Sequence, residues 1–366
     1  MLQFSDINGN PLAPAAPVPA PSSQVDPLGQ VYFFIFDHNY GHETTKLMRL
    51  PGSCVVGQIA CPEPVNIPTP VPFNFSLTPL VWSSDGKMAA YAYPTNEDGN
   101  KASLFLFNPI TLAWKSLTEF NFLDPPMWSP DGTWLTFREQ DGQGNEDTYA
   151  IRWDGTGLTN LTASGSLPTD GRPYAADGWL ADSVIFQSKG AADKVYLVNP
   201  KDGTAKQLFQ TLAIIDKGQL FPSQDGKRLS FVEYAGNDSK RIIKSIDAEG
   251  TNIHDLAAFP GGALGSILWS PDGTKVVFMH FVDSPPAAYQ DVYVVNYDGT
   301  GLSQVYHGVS IGTLALSPDG TSLLVQDHDA SGQHIFVINL TTLKQHMIQA
   351  LNLPLGWWWQ APSWQP

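Results

Sequence analysis

The chain has no run of roughly 18 consecutive apolar residues, which excludes a helix that spans a membrane. Nor does it show the 3.6-residue apolar period over three or more turns, which excludes a helical domain. Charge is sparse, with Asp, Glu, Lys and Arg making up 15% of the residues and a net balance of −15. So acidic a surface repels phosphate backbones and anionic lipid, and neither nucleic acid nor a membrane surface is expected as partner. No Gly-x-Ser-x-Gly elbow occurs, no hydrolase-like segment follows, and no glycine-rich phosphate loop opens a helix. A serine peptidase and a nucleotide site are therefore unsupported. Only two cysteines occur, too few for a structural zinc site. Cys54 and Cys61 have six residues between them and either close a local disulfide, as in exported proteins, or stay reduced. The first ten residues lack the basic start and apolar centre of a signal peptide.

What the chain does have is turns: 32 Gly and 30 Pro against 42% hydrophobic residues, a composition for many short strands. Residues 11–23 form a Pro/Ala spacer, extended and unable to pack. The expected division is an arm or linker over 1–24 and one folded domain over 25–366. Within that domain one phrase returns. Trp269-Ser270-Pro271-Asp272-Gly273 reads as the end of a strand and a type I turn, closed by a glycine in the left-handed conformation. Copies stand at Trp128-Ser129-Pro130-Asp131-Gly132 and Leu316-Ser317-Pro318-Asp319-Gly320, with weaker ones at Asp85-Gly86, Asp225-Gly226 and Asp177-Gly178. Successive aspartates lie 46, 46, 48, 47 and 47 residues apart, the mark of a repeat architecture.

Each unit holds four apolar runs, A to D, with a Ser-Pro-Asp-Gly turn between A and B and an Asp-Gly turn between C and D. Four short strands repeated at 40 to 50 residues predict an all-β fold, a β-propeller of four-stranded antiparallel blades. The chain ends decide the number of blades. Residues 362–366 match a strand A, with Trp364 48 residues after Leu316, while 29–36, 46–50 and 54–60 read as B, C and D. Six full blades plus one shared between the termini give seven, with six as the alternative count.

The Trp-Ser-Pro-Asp-Gly phrase, backed by strand C and its Asp-Gly turn, resembles the TolB-like propeller family, whose repeat is called PD40 or WD40-like. The resemblance covers roughly residues 29 to 366. It implies the propeller fold and an extracytoplasmic protein, periplasmic, secreted or surface-tethered. The family includes TolB itself, the propellers of prolyl oligopeptidase-like and tricorn-like peptidases, and some oligosaccharide lyases. It does not imply one activity.

In a propeller the A–B and C–D turns share one face, and the B–C and D–A loops share the other. The A–B turns are uniform, so the variable B–C loops are the expected binding face. These are residues 37–43, 96–100, 139–147, 187–193, 234–240, 280–291 and 327–333. Within 141–147, Asp141, Asn145 and Asp147 offer oxygen ligands for calcium as a cofactor, without the EF-hand pattern. His38, His280 and His328 each follow strand B in consecutive blades, with Asp327 beside the last, and three imidazoles suit a transition metal only if the loops converge. Trp82, Trp128 and Trp269 share a repeat position and are expected in the core. Trp357, Trp358 and Trp359 are placed in the last D–A connection, as a clamp over the joined ends or a platform for a sugar or peptide. The expected function is a non-catalytic module that binds another protein, such as a cell-envelope component. The alternative is a carbohydrate-binding or carbohydrate-active propeller with its site at the channel mouth.

Overall fold

The computed structural model describes residues 26, 28–37, 46–57, 65–68, 80–94, 101–121, 125–140, 146–162, 167, 176–188, 193–211, 214–235, 240–282, 288–329, 332–348 and 357–365. Seven four-stranded antiparallel sheets make a seven-bladed propeller. The N-terminus supplies β1 (Gln30–Asp37), β2 (Lys46–Pro51), a helical turn α1 (Gly52–Val55) and β3 (Val65–Ile67) to blade I. Blade II holds β4 (Val81–Trp82), β5 (Ala89–Pro94), β6 (Ala102–Phe107) and β7 (Trp114–Phe120). Blade III holds β8 (Met127–Trp128), β9 (Trp134–Gln140), β10 (Glu146–Arg152) and β11 (Thr159–Asn160). Blade IV holds β12 (Ala176–Leu180), β13 (Ser183–Ser188), β14 (Asp193–Val198) and β15 (Ala205–Thr211). Blade V holds β16 (Ile214–Pro222), β17 (Arg228–Ala235), β18 (Lys240–Asp247) and β19 (His254–Pro260). Blade VI holds β20 (Ala263–Trp269), β21 (Lys275–Val282), β22 (Tyr289–Asn296) and β23 (Ser303–Gly308). Blade VII holds β24 (Ile311–Leu316), β25 (Ser322–Asp329), β26 (Gly332–Asn339) and β27 (Gln345–Met347), and β28 (Trp357–Trp364) returns to complete blade I.

The first strand of each blade lies innermost, against the first strands of its neighbours, and β28 takes that place in blade I. It pairs antiparallel with β1, Trp364 opposite Val31 and Trp357 opposite Asp37, so the two chain ends close the ring through main-chain bonds. Period-2 alternation then determines the packing, because successive side chains of a strand face opposite neighbours. In β1, Tyr32 and Phe34 pack on Trp82, Tyr91 and Phe107 of blade II, while Val31 and Phe33 pack on Leu324 and Val337 of blade VII. Seven such clusters fill the spaces between blades, one for each junction.

The A–B turns form as their residues dictate. In blade VI the Gly273 N–H donates to the Ser270 carbonyl at 2.8 Å, Ser270 Oγ donates to Asp272 Oδ1 at 2.6 Å, and Lys275 N–H donates back to Ser270 Oγ at 2.9 Å. Blades II, III, V and VII repeat the Ser–Asp bond through Ser83, Ser129, Ser223 and Ser317. The A–B and C–D turns do share a face. Trp153, Ala248, Tyr297 and Leu340, each opening a C–D turn, donate their N–H to the A–B turn of the same blade.

Four readings of the sequence need correction. His280, Asp327 and His328, expected in the B–C loops, lie inside β21 and β25, which run further than their apolar residues. Asp177-Gly178 is not a turn. It lies inside β12, where the register shifts between Ala176 and Gly178, and the true connection is Ala181-Asp182. The even gaps around Asp177 were coincidental, because this hairpin is tighter than its neighbours. Residues 54–57, the described part of the run read as strand D of blade I, do not form it. The helical turn α1 runs from Gly52 into this stretch, tied down by Gly52 N–H to the Gly29 carbonyl and by Ser53 to the Asp26 carboxylate, and β3 supplies the fourth strand instead. Trp357, Trp358 and Trp359 belong to β28 rather than to a loop before it. β1 is eight residues long, and its partner extends to pair along it.

Candidate functional site

Where the described strands approach the B–C and D–A end, blades V to VII bring polar side chains together. Asp327 on β25 is 8% exposed. Its Oδ2 accepts from the Tyr306 hydroxyl of blade VI at 3.0 Å, and its Oδ1 accepts from the N–H groups of Ser310 at 3.0 Å and His328 at 2.8 Å. Asp327 thus holds the D–A connection between blades VI and VII. His280 on β21 is also buried, its ring 4.2 Å from that of Phe259 on blade V. Its Nε2–H donates to the Gly261 carbonyl at 3.2 Å, in the turn that links the two blades. The His328 side chain is exposed. His38, Asp141 and Asn145 lie outside the described residues, as do the side chains of Trp357, Trp358 and Trp359. Asp147, the described member of the calcium set, accepts from Thr162 Oγ1 at 2.6 Å. Among the described residues no three His, Cys, Asp or Glu side chains gather as a metal site.

Register adds residues that the sequence did not single out. His280, Asp291 and His307 stand directly opposite one another on β21, β22 and β23, and directly opposed residues share a sheet face. Asp291 Oδ1 accepts from His307 Nδ1–H at 2.7 Å and from Gln304 Nε2 at 2.8 Å. The Asp291 side chain is 10% exposed and that of His307 is 61% exposed, so the bond fixes the tautomer and leaves Nε2 as the acceptor nitrogen. Tyr289 lies 5.1 Å from the His307 ring. Burial, and then the Asp291 charge, pushes the Tyr293 hydroxyl above its ordinary range. Blade III repeats this frame, with Phe137 stacked on Tyr149 as Phe278 is on Tyr293, and Asp147 clasping Thr162 where Asp291 clasps His307. The shared element is a clasp of strand C on strand D, which ends in a threonine in blade III and in an imidazole in blade VI. No sequence period links positions 280, 291 and 307.

The turn face carries the other candidates. Partial burial opposes ionisation of Asp85, Asp131, Asp225, Asp272 and Asp319. The serine hydroxyl two residues before each, with donors two residues after, outweighs it and holds these carboxyls below their ordinary value. In the C–D turns, Asp154 and Asp298 are lowered by the hydroxyl and N–H of Thr156 and Thr300. Beside these carboxylates stand exposed apolar residues: Ile110, Leu158, Ile253, Leu302 and Leu343, each in the C–D turn of its blade. Leu158 and Leu302 end an Asp-Gly-Thr-Gly-Leu phrase that is visible in the sequence.

No family model matches the chain, and no curated protein matches it in sequence. Solved structures do match. The β-propeller domain of the Trilobed protease from Pyrococcus furiosus superposes with a TM-score of 0.61 at 13% identity, over 88% of this chain and 95% of that one. An oligogalacturonate lyase in complex with manganese gives 0.56 at 15% identity, over 89% and 88%. TolB from Acinetobacter baumannii gives 0.49 at 15% identity, over 92% and 67%. What they share with this chain is the propeller. At these identities the likeness extends to the fold and no further. The Pyrococcus domain is described as having an open velcro topology, whereas here β28 closes the ring.

Proposed function

We propose that this chain is a non-catalytic propeller that binds another protein through its turn face, outside the cytoplasm. One observation carries the reading. Five blades present an exposed apolar residue at the C–D turn, from 44% exposed at Leu343 to 84% at Ile110, on turns held rigid by their own hydrogen bonds. Apolar side chains on a preorganised rim lose little entropy on binding, which favours a protein partner. Asp327 and His280, which would otherwise be candidates for chemistry, are engaged in holding one blade to the next. Cys54 is disulfide-bonded, which supports an oxidising compartment. Among the described residues no helix is long and apolar enough to cross a membrane. The test is photo-crosslinking in the producing cells, with benzoylphenylalanine at 158, 302 or 343 and, as control, at 328 on the opposite face. A discrete protein adduct from the turn-face positions is expected. Adducts from 328 alone would overturn the reading.

A second reading is favoured by the Asp291–His307 pair. A buried carboxylate that orients an exposed imidazole beside Tyr289 suits acid–base work on a sugar hydroxyl, and two of the structural neighbours are oligogalacturonate lyases. Depolymerisation of any member of a polysaccharide panel, lost in His307→Ala with the melting temperature unchanged, would establish this alternative.

A further inference from the structure

We propose that the N-terminal head of this chain, residues 2–7, docks in cis on the C–D turn of blade VII, with Leu343 as its contact. The inference goes beyond the turn-face reading, since it assigns one residue of that face to the chain itself. Three blades build the same C–D turn. It opens on Asn108, Asn199 or Asn339, whose N–H donates to the carbonyl five residues on and whose side-chain oxygen accepts from the N–H two residues on. The fifth residue of the turn takes the left-handed conformation, at Leu112 with φ 59, at Gly203 with φ 72 and at Leu343 with φ 56. Gly203 and Leu343 each donate their N–H to the asparagine carbonyl at 2.8 Å. Glycine adopts this conformation freely, whereas a leucine Cβ crowds the following carbonyl. In blade II the fold offsets that strain, because Leu112 packs against the core between blades I and II. In blade VII it does not. Leu343 is 44% exposed and packs in none of the seven clusters. A strained apolar residue that the ring does not use points to a contact beyond the ring.

The occupant follows from where the described residues start. Asp26 stands on the turn face beside blade VII. Its carboxylate accepts from the Ser53 N–H at 3.2 Å, and the same helical turn accepts, at the Val55 carbonyl, from His346 Nε2–H of β27 at 3.1 Å. A Cβ on Gly29 would lie 3.6 Å from Pro318 Cγ, in the A–B turn of blade VII. His346 itself stands three residues after Leu343. The Pro/Ala spacer, residues 11–23, reaches about 40 Å at roughly 3.1 Å per residue. A blade is only about 15 Å across, three gaps of about 4.8 Å between four strands. Before the spacer stand Leu2, Phe4 and Ile7, apolar side chains at the far end of the tether. A head tied so closely meets the rim at an effective concentration on the order of 1 mM, so a contact too weak to form between separate molecules holds in cis. Held there it covers Leu343, and a partner of the turn face must displace it from blade VII.

The experiment places benzoylphenylalanine at position 4 of the full-length purified protein and maps the photo-adducts by mass spectrometry. The expected product has the mass of a single chain and joins residue 4 to the peptide that contains Leu343. Its yield should fall roughly fivefold or more in Leu343→Gly, since glycine leaves no side chain for the head to bury. That variant keeps the turn that Gly203 forms in blade IV, so its melting temperature should equal or exceed the parent's. Leu112→Gly, by contrast, should lower the melting temperature and leave the adduct yield unchanged, because the core holds Leu112. Cross-links to other parts of the propeller, or none, would overturn the proposal. So would a yield that is unchanged in Leu343→Gly. An adduct of twice the mass would make the occupant the arm of a second copy and refute the contact in cis. Cross-links from 158 and 302 test the turn-face reading separately, and neither result there alters this one.

Discussion

Gly132 and Gly226 close equivalent A–B turns with the same backbone angle, φ +68, so a local account gives Gly→Ala the same cost at both. The left-handed conformation disfavours a Cβ by about 1 kcal/mol. Their surroundings separate the two. A Cβ on Gly132 would meet nothing nearer than Ser83 Cβ at 3.8 Å, an ordinary contact. On Gly226 it would lie 2.6 Å from Pro130 Cγ and 2.9 Å from the Ala181 nitrogen, which itself donates to the Gly226 carbonyl at 2.8 Å. A proline ring held in its own turn and a bonded backbone yield little, and overpacking of this kind costs roughly 1–3 kcal/mol more. Gly132→Ala is therefore expected to destabilise by about 1 kcal/mol, and Gly226→Ala by about 2–4 kcal/mol. Equilibrium urea denaturation of the purified variants, followed by tryptophan fluorescence, measures both. Penalties equal within about 0.5 kcal/mol, or a larger one at Gly132, would show that close packing between neighbouring turns is not what holds the ring of A–B turns together.

Further outcomes follow from other contacts. Trp269→Phe removes the 2.9 Å indole N–H bond to the Phe221 carbonyl of blade V and should cost about 1–2 kcal/mol in the same assay. No loss there would remove the tryptophans from the list of blade-to-blade ties. Asp327→Ala removes the acceptor of the Tyr306 hydroxyl and of the Ser310 N–H, while the His328 N–H keeps the Ser310 carbonyl, so a cost on the order of 2 kcal/mol is expected. A fully stable variant would instead free Asp327 for a functional role. The turn aspartates have folded-state pKa values below the unfolded value of about 3.9, so the stability they add is present above that pH and lost as pH falls through the lowered values. The melting temperature should fall steeply below about pH 4, and less steeply for Asp272→Asn. Equal slopes for parent and variant would contradict the coupling of Asp272 to Ser270 and Thr274.

How much was legible from the sequence depends on the range of the interaction. The Ser-Pro-Asp-Gly turns were readable because each is built by residues within five positions: Ser270, Asp272, Gly273 and Lys275 bond to one another wherever the segment stands. The repeat of that turn implied the blades, and the leftover strands at the two ends implied seven of them. The same logic failed at Asp177, where an identical dipeptide lies in a strand because pairing with β13 outweighs the local turn preference. It failed again at residues 54–57, where the helical turn that begins at Gly52 is fixed by bonds from Gly52 and Ser53 to Gly29 and Asp26.

Of the candidate sites, the sequence could name residue types but not neighbours. His280 and Asp327 were read as loop residues after strand B but lie within it, and their role in joining blades depends on Gly261 and Tyr306, which only packing brings to them. Asp291 and His307 are 16 residues apart and meet because a hairpin register puts them opposite each other, a register that shifts at Val292 and Tyr293. Trp153 is exposed where Arg228 covers the corresponding Tyr297, and Met88 stands where blade V has Arg228, a difference between blades that matters only once they are side by side. The sequence by itself determined the Ser-Pro-Asp-Gly turns, most of the strands and the number of blades, since those rest on contacts within a few residues. The tertiary structure decided which side chains are spent on holding the ring and which are left to act, since burial is a property of the whole ring.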